Sequence, residues 1–314
     1  MSRNAYRAAS CLDGRAMHLA PDGFVMPHAH LERWTQAITD APVPIHFIFH
    51  AGHVGSTLLS RAIGEADGVL GLREPATLRT LAAAHDALGG PNRLLHPREY
   101  ETWFATHLRL WRRGYHNTRC VVLKTTSDTA RIGHKLMSDA TDARAILLNV
   151  TPETYLAQAL SADSTKELQS KLPGRVARLA RLLGNALDAG SSGEAVALSW
   201  LTEQLTHDRI AHPWPHRALR VDFDAFLANP GIHLAAIFCH LQLEMPQALR
   251  ESDLSEHPLM RQYSKSPERA HSIADRAERL AWSRKENARE ISNGLAWLEH
   301  VARSHPHAAL ALAA

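Results

Sequence analysis

The sequence lacks an excess of charge of either sign. Its 314 residues carry 35 lysines and arginines against 32 aspartates and glutamates, a formal net charge of +3. A balance this close gives no electrostatic case for nucleic acid or a membrane surface as partner. Cysteine is scarce too: Cys11, Cys120 and Cys239 are odd in number and far apart. That argues against a disulfide framework and fits reduced, mostly buried thiols in a cytoplasmic protein. No apolar run approaches a membrane span, and the opening "MSRNAYRAASCLDGR" has no continuous apolar segment of the signal-peptide kind. The expectation is a soluble, cytoplasmic chain, long enough for one large domain or two small ones around a sizeable core.

Residues 1–42 are mixed, with "HLAPDGFVMPHAHLERW" predicting an irregular segment that runs into a helix. "PIHFIFH", residues 44–50, is an apolar run of strand length and is predicted to be central. A helix over about 56–66 follows, with Leu58, Leu59, Ala62 and Ile63 on one face. "GVLGL" reads as a second strand, "TLRTLAAAHDALGG" as a helix closed by glycine, and the stretch from Pro97 as another helix. "CVVLKTT" and "RAILLNV" are further buried strands, with a helix between them around 130–138. Beyond Pro152 the pattern is mainly helical, interrupted by one late strand at "LRVDF" and a turn at Asn229-Pro230. "ADRAERLAWSRKENAREISNGLAWLEHVA" reads as one long polar helix and "SHPHAALALAA" as a fraying tail. No internal repeat or long linker interrupts the pattern. Buried strands alternating with helices predict an α/β fold with a central parallel sheet and a helix-rich C-terminal half.

"HFIFHAGHVGSTLLSRAIGE", residues 46–65, carries the strongest chemical signal. Gly52 and Gly55 permit a tight turn in which backbone N–H groups face inward. The helix opening at Ser56 adds the positive end of its dipole, which makes an anion site. Ser56 and Thr57 can donate hydroxyl hydrogen bonds to the same oxygens, with His53 and Val54 completing the loop. Against the pattern G-x-x-x-x-G-K-[ST], Gly55 and Thr57 match, while His50 and Ser56 stand where a glycine and the lysine belong. The strand "RAILLNV" ends in Asn149 rather than an acid that could orient magnesium, which disfavours nucleoside triphosphate hydrolysis. Transfer of a sulfuryl group, less charged than a γ-phosphoryl, requires no divalent metal.

On these residues the sequence resembles the sulfotransferase superfamily, whose donor is 3′-phosphoadenosine 5′-phosphosulfate (PAPS). "HAGHVGSTLLSR" looks like the loop that holds the donor's 5′-phosphosulfate, with His53 at the position of a Lys or Arg. "GVLGLREP" resembles the family's second strand, after which many members place an acceptor-activating glutamate, matched by Glu74. "LRVDFDAFLANP" and "RQYSKSPERA" resemble later segments, so the likeness spans roughly 47–270, with the loop its one specific motif. The family's second signature, Arg-Asp-Pro with a serine some eight residues on, is replaced here by Val150-Thr151-Pro152, and Gln158 stands near the serine position. Loss of that arginine removes a charge-assisted bond to the donor's 3′-phosphate. Lys124, Lys265 and Arg269 are the candidate substitutes.

The resemblance implies a single three-layer αβα P-loop domain over 1–314. Its parts are an N-terminal extension over 1–42, a core over 43–160, and a mostly helical part with one late strand over 161–314. It implies Glu74 as general base, His53 assisting the leaving oxygen, and Lys124 lining the sulfuryl site. Residues 52–57 and Lys265 would hold PAPS, with no metal. The acceptor would be a small molecule or glycan, and assembly into a homo-oligomer is left open. The alternatives are a P-loop kinase or other nucleotide-binding enzyme, and a non-catalytic binding protein of the same fold. The bland reading of Glu74 is a helix-start acid paired with Arg73 or Arg79, and that of His53 a loop histidine bonded to backbone. His28 and His30 could ligate a metal from one strand face, but 21 histidines make such pairs common by chance. Trp103 and Trp111 read as core, and "GRVARLARLL" reads as an amphipathic surface helix, with a lid or anion-partner role as the minority view.

Overall fold

Strands form where the sequence runs apolar, and glycine or proline punctuates the helices between them. The computed structural model describes residues 2–19, 26–38, 41–161, 165–251, 257–261 and 272–313. In chain order these give α1 (Arg3–Ala8), a 3-10 helix at Gly14–Leu19, α2 (His28–Ala37), β1 (Ile45–His50), α3 (Ser56–Ile63) and β2 (Val69–Arg73). Next come α4 (Ala76–Ala87), α5 (Pro97–Trp111), β3 (Cys120–Lys124), a 3-10 helix at Ser127–Ile132, α6 (Gly133–Asp139), β4 (Ala145–Asn149) and α7 (Pro152–Ala159). The C-terminal half runs through α8 (Thr165–Leu183), α9 (Ser192–Ala211), β5 (Ala218–Asp222), α10 (Phe223–Ala228) and α11 (Pro230–Leu241). It closes with α12 (Gln247–Glu251), α13 (Pro258–Arg261), α14 (Ile273–Glu286), α15 (Ala288–Ser304) and α16 (Pro306–Ala313).

The five strands form one parallel sheet in the order β2-β3-β1-β4-β5. Every residue of β1 is buried, as a central strand covered on both faces must be. The period of two survives within the apolar run: Ile45, Phe47 and Phe49 join one core, and Ile48 joins the other. The first of these cores also takes Leu81, Phe104 and Met137 from α4, α5 and α6; the second takes Leu59, Leu156, Leu201 and Leu298 from α3, α7, α9 and α15. This is the expected α/β architecture of helices on both faces of a central parallel sheet. Strand order reverses about β1, so its carboxyl end opens into the crevice where such sheets bind ligands.

Three expectations about helices are corrected. His28 and His30 lie at the start of α2 rather than on a strand, and the His28 ring stacks on Trp103 at 3.9 Å. The long polar helix breaks at Asn287 (φ −105°, ψ 18°), whose side-chain amide donates to Ser283 Oγ at 2.9 Å. Such local side-chain bonds compete with helix continuation. The break lets α15 lie directly on α9, where a Cβ on Gly193 would fall 1.8 Å from the Glu290 carbonyl oxygen. The tail does not fray up to Ala313: α16 buries Ala308 and Ala311. The N-terminal extension is tied to the sheet by Arg73, whose guanidinium donates to the carbonyls of Ala9, Tyr6 and Arg7 at 2.6–2.8 Å. Among the described residues no helix is long and apolar enough to cross a membrane.

Candidate functional site

β1 ends at His50, which is buried and locks the turn that follows. Its Nδ1 accepts the Gly52 N–H at 3.1 Å, and its Nε2 lies 2.9 Å from the Thr125 carbonyl oxygen. The two bonds assign the ring proton to Nε2, so a neutral imidazole staples the loop to the end of β3. Gly52, His53 and Gly55 then take positive φ angles of 99°, 54° and 70°. Successive residues of this kind gather backbone N–H groups on one concave side. Gly55 caps α3, and a Cβ there would lie 1.9 Å from the Phe223 ring, so only glycine fits. Ser56 and Thr57 are buried in the first turn of α3. Val54 is fully buried in the core, so its side chain packs and only its backbone borders the loop.

Glu74 leaves β2 with φ 53°, its N–H donating to the Lys124 carbonyl at 2.8 Å. The Lys124 ammonium donates to Glu74 Oε1, and the pair is 1% and 15% exposed in its side chains. A lysine this deeply enclosed requires an anionic partner. The partner differs from those of the bland reading: Arg73 donates to backbone carbonyls and Arg79 bonds Asp13 at 2.8 Å. Three non-glycine residues have positive φ among those described: His53, Glu74 and Gln242. Gln242 is an ordinary left-handed helix end after α11. The other two sit at strand ends, where such backbone strain, of order 1–3 kcal/mol each, is typical of functional positions. Glu74, Lys124 and the glycine loop thus occupy the carboxyl ends of three adjacent strands, β2, β3 and β1.

The end of β4 is built differently. Val150 is 1% exposed, and its carbonyl accepts the Trp200 indole N–H at 3.1 Å. Thr151 caps α7 by accepting the Thr154 N–H at 3.4 Å, with Pro152 in the first helical turn. Asn149 Oδ1 is buried with no hydrogen-bond partner among the described residues. No cation stands at the positions where the resemblance would put an arginine. Lys265 and Arg269 lie outside the described residues, and Lys124 is committed to Glu74.

Sequence reasoning missed the face of α8 that turns toward the loop. Arg175 and Arg178 are 2% and 6% exposed, not spread over a surface as an amphipathic reading requires. Both guanidiniums donate to Glu203 Oε1 on α9, from Arg175 Nε at 3.1 Å and from Arg178 Nη2. Lys171 Nζ and Arg175 Nη2 reach Ser127 Oγ at 3.2 and 3.4 Å, and Arg178 Nη1 reaches the Asp128 carbonyl at 3.4 Å. Burial works against the Arg175 charge, but Tyr155, Glu203 and Asp128 outweigh it and raise its pKa. A signal was present: Glu203 is a charged residue inside "AVALSWLTEQL", a stretch apolar enough to be buried, and a buried acid demands cations. Among the described residues no cluster of three or more His, Cys, Asp or Glu could hold a metal ion.

Fold and site together define an α/β protein with a left-handed glycine loop at the carboxyl end of a central parallel strand. No protein-family model matches the chain, and no curated protein does. Its structure is similar to the crystal structure of a sulfotransferase from Mycobacterium avium, at 13% identity and TM-score 0.44, covering 82% of this chain and 80% of that one. It is also similar to a sulfotransferase from Alicyclobacillus acidocaldarius, at 12% identity and TM-score 0.42, covering 83% and 96%. A third similar structure is the sulfotransferase domain of the Synechococcus PCC 7002 olefin synthase, at 16% identity and TM-score 0.39, covering 77% and 94%. These likenesses leave donor and acceptor unassigned.

Proposed function

We propose that this chain is a sulfotransferase that moves a sulfuryl group from PAPS to a hydroxyl or amine of a small molecule or glycan. The observation that carries the reading is the pair of left-handed, non-glycine residues His53 and Glu74 beside a buried lysine and a glycine loop. The loop would offer the phosphosulfate end of the donor the backbone N–H groups at the start of α3, with Gly52 and Gly55 allowing the positive φ angles of the turn. When bound, PAPS supplies an activated sulfuryl group. Residues 52–57 would bind and orient it, with the Ser56 and Thr57 hydroxyls as further donors. Glu74 would accept the acceptor's proton as the new bond to sulfur forms. Lys124 would hold that carboxylate in place and line the sulfuryl site. His53 would stabilise charge on the bridging oxygen as the bond from that oxygen to sulfur breaks.

One observation favours a second reading. Val150 and Thr151 are engaged in packing and capping, so neither residue that replaces the Arg-Asp pair supplies a cation to a 3′-phosphate. That suits a nucleotide without a 3′-phosphate, as in a kinase or other nucleotide-binding enzyme, or a non-catalytic anion-binding protein. Thermal shift with adenosine 3′,5′-bisphosphate (PAP), PAPS, ATP and GTP, each with and without Mg²⁺, separates the readings. A metal-independent shift with PAP supports the sulfotransferase. A Mg²⁺-dependent shift with ATP or GTP alone overturns it, and no shift with any nucleotide leaves the non-catalytic protein.

A further inference from the structure

A phosphate loop without its lysine lacks the cation that would face an anion there, because Ser56 is neutral. The fold brings cations to that place from a distant part of the chain. Ser127, which opens the 3-10 helix after β3, abuts the loop: a Cβ on Gly52 would lie 3.3 Å from its Oγ. Lys171 and Arg175 converge on the same Oγ at 3.2 and 3.4 Å.

The two arginines carry one positive charge more than the carboxylate they share. Arg175 and Arg178 share one carboxylate, Glu203, and Arg178 Nε is buried with no hydrogen-bond partner among the described residues. Asp128 faces the cluster as well, but it is ion-paired with Arg131 at 2.7 Å. A guanidinium has five N–H donors, and the bonds of Arg175 to Glu203 and Ser127 use two of them. Glu203 and the buried wall of α9 hold Arg175 in one orientation, so its fork is ordered before a ligand arrives.

We infer that Lys171 and Arg175 of α8 take the place of the missing loop lysine, gripping a phosphate or sulfate group against residues 52–57 from the opposite side. The ligand class is a tetrahedral oxyanion on a nucleotide. The inference rests on the anion-binding reading of the loop given above, but not on the identity of the donor. Ser127 is the hinge point of the arrangement, accepting from the two cations while its own hydroxyl hydrogen can turn to the anion.

The test is calorimetric titration of the full chain with inorganic pyrophosphate, PAP and adenosine 5′-phosphate. Lys171→Ala should weaken pyrophosphate and PAP binding by about tenfold, the loss of one charge-assisted bond at a half-buried position. Lys171→Arg should restore most of it. Arg175→Ala strands Glu203 without one of its cations and can unfold the chain, so Arg175→Lys is the informative variant. It keeps the charge but loses the fork, and should weaken both ligands by a smaller factor with an unchanged melting temperature. Wild-type affinities in both Lys171→Ala and Arg175→Lys, with binding still abolished by Ser56→Ala combined with Thr57→Ala, overturn the role of α8 and spare the loop. Weakened pyrophosphate binding in Lys171→Ala with no wild-type preference for PAP over adenosine 5′-phosphate upholds α8 and removes PAPS as donor. A wild-type chain that binds none of the three probes overturns both.

Discussion

The carboxyl ends of β1 and β4 are neighbours in the sheet and come from similar apolar strands, yet they do opposite things with their backbone. After β1 the chain enters left-handed conformations at Gly52, His53 and Gly55, opening a concave row of N–H groups. After β4 it passes through Val150 and Thr151 into α7, with its groups consumed by Trp200 and by the helix cap. The first end holds left-handed backbone; the second is taken up by packing and a helix cap, with Asn149 Oδ1 left without a hydrogen-bond partner among the described residues. Glu74, Lys124 and the glycine loop lie at the ends of β2, β3 and β1, and Lys171 and Arg175 of α8 reach Ser127 just after β3.

The strongest way to break this contrast is Gly55→Ala. The new methyl would need φ near 70° and would meet the Phe223 ring, so destabilisation of about 2–5 kcal/mol is expected by urea denaturation. Glu74→Gln keeps the shape of the side chain while removing the proton acceptor. On a genuine acceptor, turnover should fall roughly 10²–10⁴-fold with donor affinity retained, the usual contribution of a positioned base. Full activity in that variant would remove Glu74 as the base.

Acidification tests the fold beneath the site. Burial lowers the pKa of His46 to about 4 and of His207 to about 3. Both are neutral in the folded chain where the unfolded chain is protonated, so their contribution is present above pH 6.5 and is lost as pH falls toward 4 and below. Each adds a slope approaching about 1.4 kcal/mol per pH unit. Stability measured between pH 7 and 4 should drop accordingly, and His207→Gln should flatten part of that slope. At the β4 end, Thr151→Ala should cost only about 1 kcal/mol for the lost cap and leave nucleotide affinity unchanged. A large loss of PAP binding there would show that the two strand ends share the ligand after all. The smallest effect is expected for His53→Arg. It should preserve activity, because arginine can place a positive charge on the same leaving oxygen.

Much of the frame was legible in the chain. The strands, the turn at residues 52–55 and the helix opening at Ser56 follow from apolar runs and from glycine's freedom at positive φ, which are local properties. Glu74 could be picked out because it directly follows a short strand. Lys124 could be picked out too, but not its pairing with Glu74, since the two lie 50 residues apart in sequence and are joined only by the pairing of β2 with β3. The same holds for α8. Its arginines repeat at helical spacing among leucines and valine, a pattern equally consistent with a solvated face, and what buries them is Glu203 arriving on α9.

What the sequence determined by itself was therefore the conformational part of this protein: where the backbone can be extended, where it must coil, and where it can turn left-handed. What only the tertiary structure decided was the electrostatic part. A charged side chain removed from water must meet an opposite charge or a full set of hydrogen bonds, and that requirement is met across tens of residues by whichever elements the core brings together. Lys124 finds Glu74, Arg175 and Arg178 find Glu203, and Lys171 comes to lie beside Ser127 and the glycine loop for that reason.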